Sequence, residues 1–216
     1  MDIFVSIRDT ASLARNSLQA SCGQIRSRTV LLSMSGFHSN TEQLIDYWRR
    51  LGADGQMPTR MAVNPADFAG VINQVFVLGR VSTGIYPIRL AGGFVADLHR
   101  RDLRQQNALT LFRERDRLDL KAALEAARRR PEPVVVTADI LTSGPILPIE
   151  ITFAPLAASP GSPERYLGLY QPLGMVARLR GLPVLDIAIR DITGMTPSNE
   201  VSPRLRLATL DGRRIA

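Results

Sequence analysis

The sequence predicts an α+β protein in which a five-stranded antiparallel sheet is flanked by short helices. Residues 86–103, YPIRLAGGFVADLHRRDL, carry the first observation behind that prediction. Tyr86, Ile88 and Leu90 alternate with Pro87, Arg89 and Ala91, the period of a half-buried strand whose polar face carries Arg89. After Gly92-Gly93, the apolar residues Phe94, Val95 and Leu98 recur at helical spacing, so the chain turns from a sheet edge directly into a short helix. The second observation is a run of three strand-like segments at 134–142, 146–156 and 166–173, each with one apolar face. A helical segment at 114–130 is the third, because it separates those strands from the two earlier ones.

Taken in order, residues 1–38 are weakly patterned and are expected to form a poorly ordered N-terminal extension or arm. Ser39-Asn40-Thr41-Glu42 matches a capping box, in which the serine oxygen accepts from an orphan backbone N–H, so a helix starts there. Leu44, Ile45, Trp48 and Leu51 form its apolar stripe, and Gly52 stops it. Asn64-Pro65-Ala66-Asp67 opens a second, short helix with a cap residue, a proline in first position and an acid in its first turn. Strands at 75–81 and 86–91 then make a hairpin through Ser82-Thr83-Gly84.

The helix at 114–130 buries Leu120, Ala123, Leu124 and Ala127, and Glu125 is spaced to pair with Arg129. Arg128-Arg129-Arg130 complement its negative end before Pro131 breaks it. In the next two strands, Val134, Val136, Ala138 and Ile140 oppose Thr137 and Asp139, and Leu147, Ile149, Ile151 and Phe153 oppose Glu150 and Thr152. Gly144-Pro145 suits the turn between them, and the Pro-, Gly- and Ser-rich stretch at 158–164 suits a longer exposed loop. Residues 39–175 are thus read as one domain, and 176–216, with another apolar run at 182–192 and a basic end at 204–214, as a C-terminal extension.

Composition narrows the function classes. The chain has 216 residues, of which 45% are hydrophobic, enough to bury a substantial core. Its apolar runs stop far short of the roughly 20 residues of a membrane span. The N-terminus lacks a continuous apolar stretch of the secretory kind, so a cytoplasmic location is expected and a membrane partner is not. The formal charge is +7, with Lys plus Arg against Asp plus Glu at 4 to 2 over residues 1–39, 16 to 14 over 40–175 and 7 to 4 over 176–216. The excess therefore sits in the two ends. A solvated charged surface accounts for it, and a basic nucleic-acid-binding protein stands as the alternative reading.

No chemistry stands out. Cys22 is the single cysteine and has no partner for an internal disulfide, and with only His38 and His99 present no set with zinc-ligand spacing exists, so no metal is expected. There is no G-x-S-x-G elbow, no phosphate loop and no dinucleotide fingerprint. Most acids fall on polar faces or helix starts, so no catalytic residue is assigned and no enzyme is expected. The remaining candidate is a pocket. An inner sheet face with Ile88, Leu90, Val136, Ile140, Ile149, Ile151 and Phe153, roofed by Phe94 and Phe112, either encloses a small apolar ligand or is a filled core.

The phrase IRLAGGFVADLHRRDL, preceded by LIDYWRRL and NPADF and followed by RYLGLYQPL, resembles the small bacterial single-domain PAS family that includes MopJ-like regulators. The resemblance covers roughly residues 41–174. It implies a PAS-like fold and a sensory or regulatory role without catalysis, through an unidentified signalling protein partner, and names no ligand. Some PAS domains hold haem through a histidine, but His99, between Leu98 and Arg100-Arg101, reads as a surface residue. Flavin-binding forms use a reactive cysteine inside the domain, where Cys22 does not lie, so no cofactor is expected. PAS domains often pair through flanking helices. The sheet has a second face to cover, with Ile85, Leu141, Ile146, Tyr166 and Tyr170 among its positions, and the helix carrying Leu44, Ile45, Trp48 and Leu51 is the expected cover and homodimer contact.

Overall fold

A single antiparallel sheet runs through the computed structural model, which describes residues 36–52 and 56–194. Its strands are β1 (Val75–Gly79), β2 (Ile88–Ala91), β3 (Val134–Leu141), β4 (Leu147–Leu156), β5 (Arg165–Pro172) and β6 (Asp186–Gly194). Across the sheet they run β2-β1-β5-β4-β3-β6. Around them lie α1 (Ser39–Leu51), α2 (Gly93–His99), α3 (Arg117–Arg129) and several 3-10 turns. This is the predicted α+β architecture with one more strand. The expectations for residues 1–35, for Cys22 and for the basic segment 204–214 lie outside the described residues.

The sixth strand comes from the apolar run assigned to an extension. It pairs with β3 from Val134↔Gly194 to Leu141↔Asp186, and the register shifts between Thr137 and Ala138. That irregularity hides the strand from a period-two reading: Ile187, Ile189 and Ile192 all pack on the inner core although their spacing changes from two to three. The same cause displaces Leu90. A register shift places Ile88 opposite Leu78 and Leu90 opposite Val77, with Arg89 as the extra residue. Leu90 therefore leaves the face of Ile88, and 47% of it is exposed.

Both faces of the sheet are covered by the chain's own elements. On the inner face, Val95 and Leu98 of α2 and Leu120, Leu124 and Ala127 of α3 pack on Phe76, Leu78, Val136, Ile140, Ile149 and Ile151. Tyr166 and Tyr170, which the sequence places on the other face, belong to this inner cluster. On the outer face, Leu44, Tyr47 and Trp48 of α1 pack with Val63 and Phe68 on Val75, Val77, Ala154, Leu156, Leu167 and Leu169. Each such large side chain taken out of water stabilises the fold by about 1.5–3 kcal/mol before entropy is counted.

Polar contacts fix the seat of α1. The Trp48 indole N–H donates to the Pro155 carbonyl at 2.6 Å, and the Tyr47 hydroxyl accepts the Asn64 amide at 2.9 Å. At its start the predicted capping box gives way to another cap. Ser39 is already helical, and the His38 imidazole accepts from the Asn40 amide at 3.2 Å. The His38 amide in turn donates to both carboxylate oxygens of Glu150, at 3.2 and 3.1 Å. Glu150, expected on a solvated face, is thereby buried under the helix start. The segment opened by Asn64 folds as a 3-10 turn, with the Asn64 side chain accepting from the Ala66 amide as expected of a cap.

Candidate functional site

The inner core is where an apolar ligand would have to sit, and its centre is a chain of aromatic rings. Phe76 on β1 stands edge-on to Phe153 on β4 at 5.6 Å and to Tyr170 on β5 at 5.3 Å between centroids. The cross-strand partner of Phe76 is Gly168. A Cβ there would collide with the Phe76 ring, so the missing side chain is what lets the ring lie flat on the sheet. Beyond Tyr170 comes His99, the last residue of α2, with ring centroids 6.0 Å apart.

Among the described residues the space beside these rings is small. The cavity between the sheet and α2 measures about 10 Å³, room for one water at most, in a lining too apolar to hold it. Of the pocket candidates, Ile88, Phe112 and Phe153 line that cavity. Val136, Ile140, Ile149 and Ile151 lie fully buried in the same cluster, and Phe94 packs against it partly buried. Leu90 lies outside.

His99 corrects a second expectation. It is 3% exposed rather than a surface residue, and neither ring nitrogen has a hydrogen-bond partner. Burial, aided by the nearby Arg101 charge, lowers its pKa to about 4, so the ring is neutral at physiological pH. The flanking arginines misled the sequence reading: α2 ends at Arg100 in the left-handed conformation, which turns Arg100 and Arg101 outward while His99 stays on the inner face with Val95.

At the other end of the core a charged cluster closes the space between α3, the β1–β2 connection and the start of β5. The Arg80 guanidinium donates to both oxygens of Glu125, at 2.9 and 3.0 Å, and to Glu164 at 3.2 Å. Arg128 reaches the same two acids at 3.4 Å each. The Tyr86 hydroxyl donates to Glu125 at 2.7 Å, and the Tyr166 hydroxyl to the Leu124 carbonyl at 2.8 Å. Hydrogen bonding from Arg80 holds the Glu125 carboxyl down at about 2 against the opposing effect of burial. Burial pushes both tyrosines up. Helical spacing had paired Glu125 with Arg129; that guanidinium instead donates to the Glu125 backbone carbonyl at 3.2 Å. Glu125 is thus fixed as a carboxylate and the two phenols as neutral donors, a structural rather than a proton-transferring arrangement.

The expected dimer residues have an intramolecular place. Leu44, Ile45 and Trp48 are 2%, 2% and 6% exposed within the chain itself, which leaves them no surface for a second copy. Leu51 is half-buried at the end of the stripe. It borders a surface recess of about 440 Å³ between α1 and the 3-10 turn Pro65–Phe68, together with Gln43, Arg50 and Asp67. Among the described residues no group of three or more His, Cys, Asp and Glu is placed to hold a metal ion. No described helix is long and apolar enough to cross a membrane.

Residues 36–171 match the model of a PAS-domain family, and the chain belongs to that family. The match stops short of β6. Among solved structures, the Rhodobacter sphaeroides LOV protein is similar, at 15% identity and a TM-score of 0.38 over 51% of this chain and 66% of that one. A single-residue variant of RsLOV matches at 17% identity and a TM-score of 0.39, over 50% of this chain and 66% of that one. The RsLOV d2 variant matches at 16% and 0.39, over 51% and 66%. No curated protein matches the chain.

Proposed function

We propose that this PAS-domain chain is a non-enzymatic sensory and regulatory module of the MopJ-like kind, acting in the cytoplasm through contacts made by its surface. PAS-family membership fits a sensory or signalling role. The observation that carries the finer reading is the filled interior: with about 10 Å³ free beside the aromatic chain, a ligand of even a few heavy atoms enters only by forcing α2 away from the sheet. A module with no room inside passes its signal by what docks on its outside. Self-association is part of the proposal; the burial of Leu44, Ile45 and Trp48 within the chain favours a contact at the rim beside Leu51 over one through the stripe itself.

The alternative, nucleic-acid binding driven by basic charge, makes a different demand on salt. Phosphate-driven association weakens steeply as salt rises because counterions are released on binding. The near balance of charge over residues 40–175, 16 basic against 14 acidic, predicts no measurable binding of duplex DNA or RNA at physiological ionic strength. Fluorescence anisotropy with a labelled duplex across a salt series checks this, and tight binding that survives at physiological salt contradicts the proposal.

A further inference from the structure

At β6 the first part of the outer edge is capped: the Arg113 amide donates to the Ile187 carbonyl at 3.0 Å, and the Ile189 amide donates to the Asp116 carboxylate at 2.9 Å. At β2 the cover stops early. The loop after α2 bonds to Tyr86, where the Ala108 amide donates to the Tyr86 carbonyl at 2.9 Å, and within β2 only to the backbone of Ile88, the Ile88 amide to the Gln106 carbonyl at 2.9 Å and the Gln105 amide to the Ile88 carbonyl at 2.9 Å. Among the described residues no segment pairs with the outer edge of β2 beyond that point. An open strand edge is normally blunted or hidden.

Beside this open edge lies a recess of about 160 Å³ with Arg89, Arg101 and Arg104 at its rim and Leu90 and Leu103 in its wall. Among the described residues the three guanidiniums have no carboxylate partner. Arg89 extends across Gly79, where a Cβ would strike its Nε at 2.7 Å, and donates only to the Gln105 amide oxygen at 2.8 Å. Asp102, the acid of the recess, accepts from the Arg104 backbone amide at 2.9 Å and so serves its own loop. The bulge that pushes Leu90 out of the core sets a half-exposed apolar side chain between these charges.

We infer that the β2 edge and its arginine-rimmed recess dock an extended acidic peptide segment of a partner protein. Three guanidiniums without a carboxylate among the described residues call for carboxylates at successive positions. The open backbone edge calls for a strand, and Leu90 calls for an apolar residue between the acids. A stacked nucleic-acid base finds no aromatic ring in the lining. The inference rests on the reading that the chain works through protein contacts, and it names the chemistry of one such contact.

The test is a titration of the isotope-labelled full-length chain, followed by amide NMR, with a peptide of alternating glutamate and valine. Expected are shifts confined to Arg89, Leu90, Ala91 and the Arg101–Arg104 loop, weakening with salt and by about tenfold or more in the doubly reversed R101E/R104E chain. Both arginines are exposed, so an unchanged unfolding midpoint separates lost binding from lost fold. A peptide of alternating lysine and valine must leave the same amides unmoved. Peptide shifts elsewhere, or none, overturn the recess as the docking site while leaving surface signalling standing. Stronger shifts at these amides from inorganic phosphate or a duplex than from the peptide overturn both.

Discussion

Glu125 takes hydrogen bonds from two guanidiniums and a tyrosine hydroxyl, and acid removes the charge that holds them together. Its folded-state pKa of about 2 lies below the ordinary 4.5, so its contribution to stability is complete above about pH 4.5 and is lost as pH falls toward 2. The neutral variant E125Q leaves Arg80 and Arg128 with Glu164 alone. It is expected to lower the unfolding free energy by about 3 kcal/mol in urea denaturation at neutral pH; a change within about 0.5 kcal/mol, as at an ordinary surface site, contradicts this. His99 loses stability in the same direction on acidification, but because burial disfavours its charged form. Its pKa is lowered from 6.5 to about 4, so the unfolded chain binds the extra proton between those values and stability falls as pH drops through that window. Because neither nitrogen has a partner, an apolar ring in its place removes a desolvation cost. H99F is therefore expected to match or exceed the parent stability at neutral pH and to flatten the loss between pH 6.5 and 4. A marked destabilisation at neutral pH instead means that the imidazole makes a contact the structure does not show.

At the scale of elements, β6 is the part most at odds with its sequence reading. It pairs with β3 along eight residue pairs and shelters the inner core through Ile187. A chain cut after Gly174 therefore exposes the outer edge of β3 and the side chains beneath β6, and is expected to lose cooperative unfolding or to show a greatly lowered urea midpoint. Equal midpoints for cut and full-length chains contradict this. The elements that were legible are those whose apolar period is unbroken: α1 and α3, and the alternating faces of β3 and β4. Those that were not share a local departure from period: the shift that sends Leu90 outward, the shift that masks β6, and the left-handed turn at Arg100 that separates a buried His99 from its exposed neighbours. Glu150 and Glu125 were read as solvated or locally paired because their partners, the His38 amide and Arg80, are distant in sequence.

For the whole molecule, the sheet supplies two apolar faces and the chain covers both, with α2 and α3 on one and α1 on the other. The need for a second face to be sheltered, and α1 as its cover, were readable from the sequence; that the stripe would be used up within one chain, leaving only Leu51 at the margin, was not. The candidate pocket was legible as a list of residues but not as a volume, since filled core and cavity share one apolar pattern and differ in packing such as that of Phe76 over Gly168. The proposed function requires that the interior be full and that the signal pass through the surface. Native mass spectrometry of the protein purified from its own cells tests this most directly, because it weighs retained small molecules and bound chains together. The predicted result is the bare polypeptide mass, alone or multiplied by protein partners or a second copy. A stoichiometric small molecule retained by the folded chain would contradict it.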